Sequence, residues 1–287
     1  MLQENAERDH PTTEVNGGLS VRGLSIRFRL PQGGMLTAVD HIDLDVRNGE
    51  VHGLVGESGC GKTVTAMSIL GLLDSQGMEI EGDIRWQGRN LLGLSERELR
   101  SVRGSQIAMV FQNAAASLNP ALRIGSQIKA VLRLHRGFDD SQAAQEALSL
   151  LAAVRIPDPP RIMRAYAHEC SGGMAQRIAI AMALACRPRL LIADEPTAAL
   201  DVTIASKIVS LLHDVKTEFG LSILLISHDL GVVARLCDRV SVMYFGEIVE
   251  SGSSVNIFES PKHEYTKVLL RSIKLPSQLN KFLYENN

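Results

Sequence analysis

One octapeptide limits this chain more than any other part of it. Gly56-Glu57-Ser58-Gly59-Cys60-Gly61-Lys62-Thr63 follows the apolar run Val51-His52-Gly53-Leu54-Val55 and opens into Val64-Thr65-Ala66-Met67-Ser68-Ile69-Leu70. It fits the phosphate-loop pattern G-x-x-x-x-G-K-[ST]. Glycine accepts backbone angles that a β-carbon forbids, so successive N–H groups can turn inward around a phosphate chain. Lys62 then neutralises the β and γ phosphates, Thr63 offers a hydroxyl to Mg2+, and the positive end of the following helix adds its dipole. At average glycine usage, a chance match in a chain this long arises in about one sequence in a hundred. The strand pattern before the loop and the helix pattern after it make chance weaker still.

Such a loop needs a body to hold it, and 287 residues can bury a full core, as one α/β domain with a subdomain or as two small domains. The formal net charge of -2 gives no basic field, so composition suggests no nucleic-acid partner. No apolar run approaches the ~20 residues of a membrane span. Met1 to Gly18 is polar and lacks the basic-then-apolar layout of a signal peptide. It is expected to be a disordered arm, and the protein to be cytoplasmic. Cys60, Cys170, Cys186 and Cys237 form no C-x-x-C pair, which suits lone thiols in a reducing compartment. Cys60, close to Lys62 within the loop, is expected to be unusually reactive.

Along the chain, Leu19 to Phe28 and Leu36 to Val46 alternate apolar and polar residues, as two antiparallel strands joined at Pro31-Gln32-Gly33-Gly34 do. Phe28 is either a core aromatic or a stacking platform for adenine. The helix after the phosphate loop is expected to run to about Leu73. Ile80 to Gln87 and Gln106 to Phe111 follow as strands, separated by a helix over Ser95 to Arg103 that Ser95 and Glu98 can cap together. Gln112 closes the second strand before a polar loop, Asn113 to Pro120. A glutamine there is usually a solvated loop residue, but its amide can complete a Mg2+ shell. From Ala121 to Ala167 helical periods take over, with breaks at Gly137-Phe138-Asp139 and Pro157-Asp158-Pro159-Pro160. Ser171-Gly172-Gly173 then leads into a helix from Met174 to Cys186. That turn is an N-cap, or a helix N-terminus stripped of side chains to grip a phosphate.

Leu190-Leu191-Ile192-Ala193-Asp194-Glu195 is a buried strand ending in two carboxylates. Acids at such a tip are costly unless paired or metal-bound, and strand tips are where α/β sheets place ligands. Asp194 is expected to hold Mg2+ through water and Glu195 to orient and activate the attacking water. A helix from Val202 to Phe219 and a buried strand from Leu221 to Ile226 follow. Ser227-His228-Asp229 closes that strand at the edge bearing the two acids. A hairpin about Gly246 and short helices from Val255 to Ile273 end the ordered part, before a frayed tail, 274–287.

In this order and at these separations, the pieces from Leu19 to Ile273 resemble the ATP-binding subunit of an ABC transporter. Gly56 to Thr63 matches the Walker A loop, with Val64 beside it, and Leu190 to Asp194 the Walker B strand. Glu195 is similar to the catalytic glutamate, Gln112 to the Q-loop, Ala199-Leu200-Asp201 to the D-loop and His228 to the switch histidine. Phe28 matches the A-loop aromatic. Cys170-Ser171-Gly172-Gly173-Met174 resembles the Leu-Ser-Gly-Gly-Gln signature with two changes. Met174 is similar to the oligopeptide, dipeptide and nickel importer branch, as are Ser117 to Pro120 and His263 to Leu270. Many members of that branch carry a C-terminal iron–sulphur centre. This chain has no cysteine after Cys237, so no cluster is expected.

The resemblance implies an α/β phosphate-loop ATPase of ABC type, residues 19–273, with an antiparallel β-subdomain and a helical insertion over about 113–187. It implies ATP and Mg2+ as cofactors, with Lys62, Glu195 and His228 catalytic. Ser171, Gly172, Gly173, Met174 and Asp201 are implied to complete the nucleotide site of a second ATPase subunit, a related chain or a second copy. Two membrane-spanning permease subunits and an extracytoplasmic binding protein would finish the machine, at the inner face of the cell membrane. A nickel or metal-chelate importer is the alternative within the branch. A soluble ABC ATPase of DNA repair or translation would bring a second nucleotide-binding domain, a coiled coil or a basic face, and none is visible. A regulator without turnover would not need both Glu195 and His228.

Overall fold

The computed structural model describes residues 17–74, 76–198 and 200–271. The expected arm, apart from Gly17 and Gly18, and the expected tail lie outside them. The alternating residues at the start pair as predicted: β1 (Gly18–Arg29) runs antiparallel to β2 (Met35–Arg47), with Leu19 opposite Val46 and Phe28 opposite Leu36. Gly18, assigned to the arm by sequence, thus belongs to the first strand. Next come β3 (Val51–Val55), α1 (Lys62–Ile69), β4 (Met78–Trp86) and β5 (Arg89–Asn90). The helix α1 stops short of Leu73, because Leu70 caps it and Gly71 turns away at φ +59°, a conformation that ends helices. Ser95 and Glu98 form the expected reciprocal cap on α2 (Glu96–Val102), which precedes β6 (Ile107–Val110).

The helical insertion is α3 (Ala114–Ser117), α4 (Ile124–Arg136), α5 (Asp140–Ala153), α6 (Pro159–Arg164) and α7 (Gly172–Leu184). Two expectations change here. The polar loop after Gln112 contains a helical turn, α3, because the Asn113 side chain accepts the Ala116 N–H at 3.1 Å. Pro159 and Pro160 start a helix instead of breaking one: Asp158 caps it, and the first turn has no use for the missing prolyl N–H. The chain continues through β7 (Leu190–Asp194), α8 (Val202–Phe219), β8 (Ser222–Ser227), α9 (Leu230–Leu236), β9 (Arg239–Tyr244), β10 (Glu247–Ser253), α10 (Ser254–Glu259) and α11 (Glu264–Arg271). Sequence reasoning overlooked the short α9, which Asp229 caps.

Two sheets result. One is antiparallel, ordered β2-β1-β4-β5; the other, ordered β10-β9-β3-β8-β7-β6, is parallel except for the pairing of β10 with β9. Successive strand residues face opposite sides, so each central strand feeds two cores. Val51, Leu191, Leu225 and Val55 face the helices, whereas Leu54, Leu190, Ile192 and Leu224 face α1 and the antiparallel sheet. The parallel strands all point the same way. Gly56, Gln112, Glu195 and His228, which follow β3, β6, β7 and β8, therefore gather at one edge of the sheet.

Candidate active site

The phosphate loop is shaped by what presses on it. A β-carbon on Gly56 would lie 2.1 Å from the Met243 carbonyl oxygen, and one on Gly61, at φ +109°, 2.4 Å from that of Ala38. Neither position admits a side chain. The Lys62 ammonium donates to the carbonyl oxygens of Gly56 at 2.8 Å and Glu57 at 2.7 Å. A cavity of about 240 Å3 opens over Ser58, Gly59, Gly61, Lys62, Thr63 and Val64, closed by Ala38 from β2 and by Gln112 and Glu195 from two other strand ends. Ala38 was not singled out by sequence; a small residue in an edge strand sends no signal.

Thr63 Oγ1 donates to the Asp194 carboxylate at 3.0 Å, joining residues 131 positions apart in sequence. Asp194 is buried, and burial pushes its carboxyl up from the usual carboxylate range; the Thr63 hydrogen bond pulls back, Glu195 adds to the rise and Lys62 opposes it. A buried acid held in this way is relieved by a cation. Hydroxyl, carboxylate and the nearby Gln112 amide are hard oxygen donors of the kind Mg2+ takes, so the residues fit the expected ion.

Glu195 follows directly, with φ +48°, a conformation that costs a non-glycine residue about 1–3 kcal/mol and concentrates at functional sites. Its N–H donates to the Ile226 carbonyl at 2.9 Å, which holds the turn. The turn aims the carboxylate at the cavity wall, where Oε1 lies 2.8 Å from His228 Nδ1. An ionised carboxylate only accepts, so Nδ1 carries the proton in this contact. His228 is exposed and Glu195 buried.

Other expectations fall elsewhere. Ser171 caps α7 by accepting the Met174 N–H at 3.3 Å, and Asp201 caps α8 by accepting the Ile204 N–H at 2.9 Å. Ser171, Gly172 and Asp201 are exposed, and none of residues 171–174 lines the phosphate cavity. Phe28 packs at the margin of the core beneath the antiparallel sheet and does not line that cavity either. Ala199 lies outside the described residues. The expected reactivity of Cys60 is contradicted: the thiol is buried, and burial pushes it up despite Lys62 Nζ at 3.7 Å. A thiol kept protonated is a poor nucleophile.

A family model described as ABC transporter matches residues 39–198. The chain is 47% identical over 259 residues to the oligopeptide transport ATP-binding protein OppD of Haemophilus influenzae, covering 90% of this chain and 80% of that one. It is 46% identical over 256 residues to the dipeptide transport ATP-binding protein DppD of Bacillus subtilis, covering 89% and 76%. Among solved structures it is similar to the dimeric ATP-binding cassette MJ0796 in a post-hydrolysis state bound to ADP and Pi. That match has a TM-score of 0.73 and 26% identity, and covers 82% of this chain and 98% of the other.

Proposed function

This chain belongs to the ABC transporter family, and from that premise we propose that it is the ATP-binding, ATP-hydrolysing subunit that energises a peptide importer. The observation behind the proposal is the meeting, at one sheet edge, of the loop lysine, the Thr63–Asp194 pair and the Glu195–His228 pair. Bound ATP and Mg2+ supply an electrophilic γ-phosphorus and neutralise the charge that develops around it. Lys62, now turned onto two loop carbonyls, provides the ammonium that phosphate oxygens attract. Thr63, Asp194 and Gln112 would hold the ion. Glu195 accepts a proton from the attacking water, and His228 keeps the carboxylate aimed.

Residues 171–174 lie away from this chain's own cavity, so they serve a site on a second ATPase subunit, in our reading a related chain. The dimeric state of MJ0796 supports such a pairing. No helix among the described residues is long and apolar enough to cross a membrane, and the importing path belongs to two permease subunits fed by an extracytoplasmic binding protein. A groove of about 280 Å3 between the sheet and the helical insertion, bordered by Leu72, Phe111, Ser117, Val131 and Met182, begins beside Gln112. In this reading it is an apolar seat for the permeases, at the inner face of the membrane. No iron–sulphur centre forms part of the proposal.

The test is Glu195→Gln in membranes holding the whole importer. Peptide-stimulated ATP hydrolysis should fall by at least about 100-fold, with MgATP binding retained. Undiminished turnover would remove Glu195 from its role, and stimulation by a metal chelate in place of peptide would overturn the substrate class.

A further inference from the structure

Far from the sheet edge in sequence, α11 returns to the phosphate loop. Tyr265, on its first turn, is 9% exposed, and its hydroxyl oxygen accepts the Glu57 N–H at 3.2 Å across 208 residues of sequence. That N–H belongs to the same peptide unit as the Gly56 carbonyl, which accepts from Lys62 Nζ at 2.8 Å. A trans peptide is planar and presents its C=O and N–H in opposite directions. Tyr265 thus grips from behind the plane whose front edge holds the loop lysine.

The grip is itself braced. The Tyr265 ring stacks on Tyr244 with centroids 4.0 Å apart and planes 30° from parallel. Tyr244 ends β9, and two residues on the Gly246 N–H donates to the Cys60 carbonyl at 3.0 Å, a second hold on the same loop. From the other side, the Glu250 carboxylate accepts the N–H groups of Lys262 and His263 at 2.8 and 3.0 Å, tying the entry of α11 to β10. The loop is clasped at Glu57 and Cys60 by two neighbouring elements that share one aromatic contact.

We propose that Tyr265 is a positioning residue for nucleotide binding, its hydroxyl orienting the Gly56–Glu57 peptide and, through it, the Lys62 ammonium. This rests on the ATPase function proposed above. Without the hydroxyl the N–H loses its acceptor, the peptide plane keeps only its hold on the lysine side, and the lysine is less well ordered when a nucleotide arrives. The loss falls first on affinity for the phosphate chain, because the lysine it orders holds phosphate oxygens, while Glu195 and His228, which act on the water, have no contact with Tyr265.

Tyr265→Phe retains the ring and its stack, so folding is preserved while the one hydrogen bond is removed. In the assembled importer, the KM for ATP should rise roughly five-fold, the worth of one hydrogen bond, ahead of any fall in kcat. Calorimetric titration of the purified chain with MgADP should show the same factor in Kd. A thermal melt of the nucleotide-free protein is the companion measurement. A lower Tm with wild-type Kd would make Tyr265 merely structural and overturn the assignment, as would wild-type KM and Kd together. The MgADP titration needs no turnover, so a failure of the ATPase proposal would appear separately, as a wild-type assembly that binds nucleotide without hydrolysing it.

Discussion

Glu195 occupies a left-handed backbone conformation that its side chain disfavours, and the residue before it has a carboxyl whose charged form burial penalises. Both are costs to the free protein that make sense at a site awaiting a cation and a phosphate. Asp194 permits a signed prediction. An acid whose pKa is raised by folding holds its proton more tightly in the folded chain. Its contribution to stability is therefore greatest in acid and declines as pH rises from the ordinary carboxylate range through the folded pKa. At neutral pH without metal, the ionised group is a net burden. Asp194→Asn should raise the Tm in chelator at neutral pH and flatten the fall in stability above the carboxylate range, while Mg2+-dependent hydrolysis is lost. Melts across pH beside an ATPase assay check this, and an unchanged or lower Tm at neutral pH would refute it. The residue types at these positions were legible in the sequence. The environment of Cys60 was not, because a thiol's reactivity depends on how far burial outweighs a neighbouring charge.

At the scale of elements, α7 and α8 meet through a glycine. A β-carbon on Gly173 would stand 2.6 Å from Ile204 Cγ2, so the two helices approach this closely only because position 173 has no side chain. Gly173→Ala should force them apart at about 1–3 kcal/mol, less up to about 1 kcal/mol from alanine's better helix propensity. With Ile204→Ala already present, the same substitution should be neutral or stabilising, since the clashing methyl is gone. Thermal melts of the four proteins measure the coupling, and equal destabilisation in both backgrounds would disprove the contact. In Ser171-Gly172-Gly173 the second glycine therefore serves packing as well as an open helix end. Elements whose ends are written locally were found from sequence: Ser95 with Glu98, Ser171 before α7, the alternation in β1 and β2. The short α3 after Asn113 and α9 after Asp229, which have neither a capping box nor enough residues to show a helical period, were missed.

For the whole molecule, the phosphate cavity and residues 171–174 belong to one chain but not to one site. If a second subunit supplies the missing half, turnover per chain is not constant but rises with protein concentration by mass action. Adding the related ATPase chain should raise it at a concentration where this chain alone is nearly inactive. Assays over a dilution series test this, and the same turnover per chain down to the lowest dilution would mean that each chain works alone. Pairing also gives a reason for the exposed positions of Ser171, Gly172 and Asp201, of which Ser171 and Asp201 cap their own helices.

The chemistry was legible in short segments of the chain. Backbone conformation at glycines, the charge of a lysine and the oxygen donors of threonine and aspartate are properties of short segments, so Gly56 to Thr63 announced a phosphate site before any fold was known. The alternation of apolar residues in β1 and β2 likewise announced an antiparallel pair, and the unbroken apolar runs of β7 and β8 announced buried strands. Which distant groups meet was set by the folded arrangement: Thr63 with Asp194, Glu195 with His228, and Tyr265 with the Glu57 N–H. Those encounters depend on strand order and on the direction in which each strand ends. They are set by burying both faces of one sheet at once, a balance summed over the whole chain that no single segment encodes.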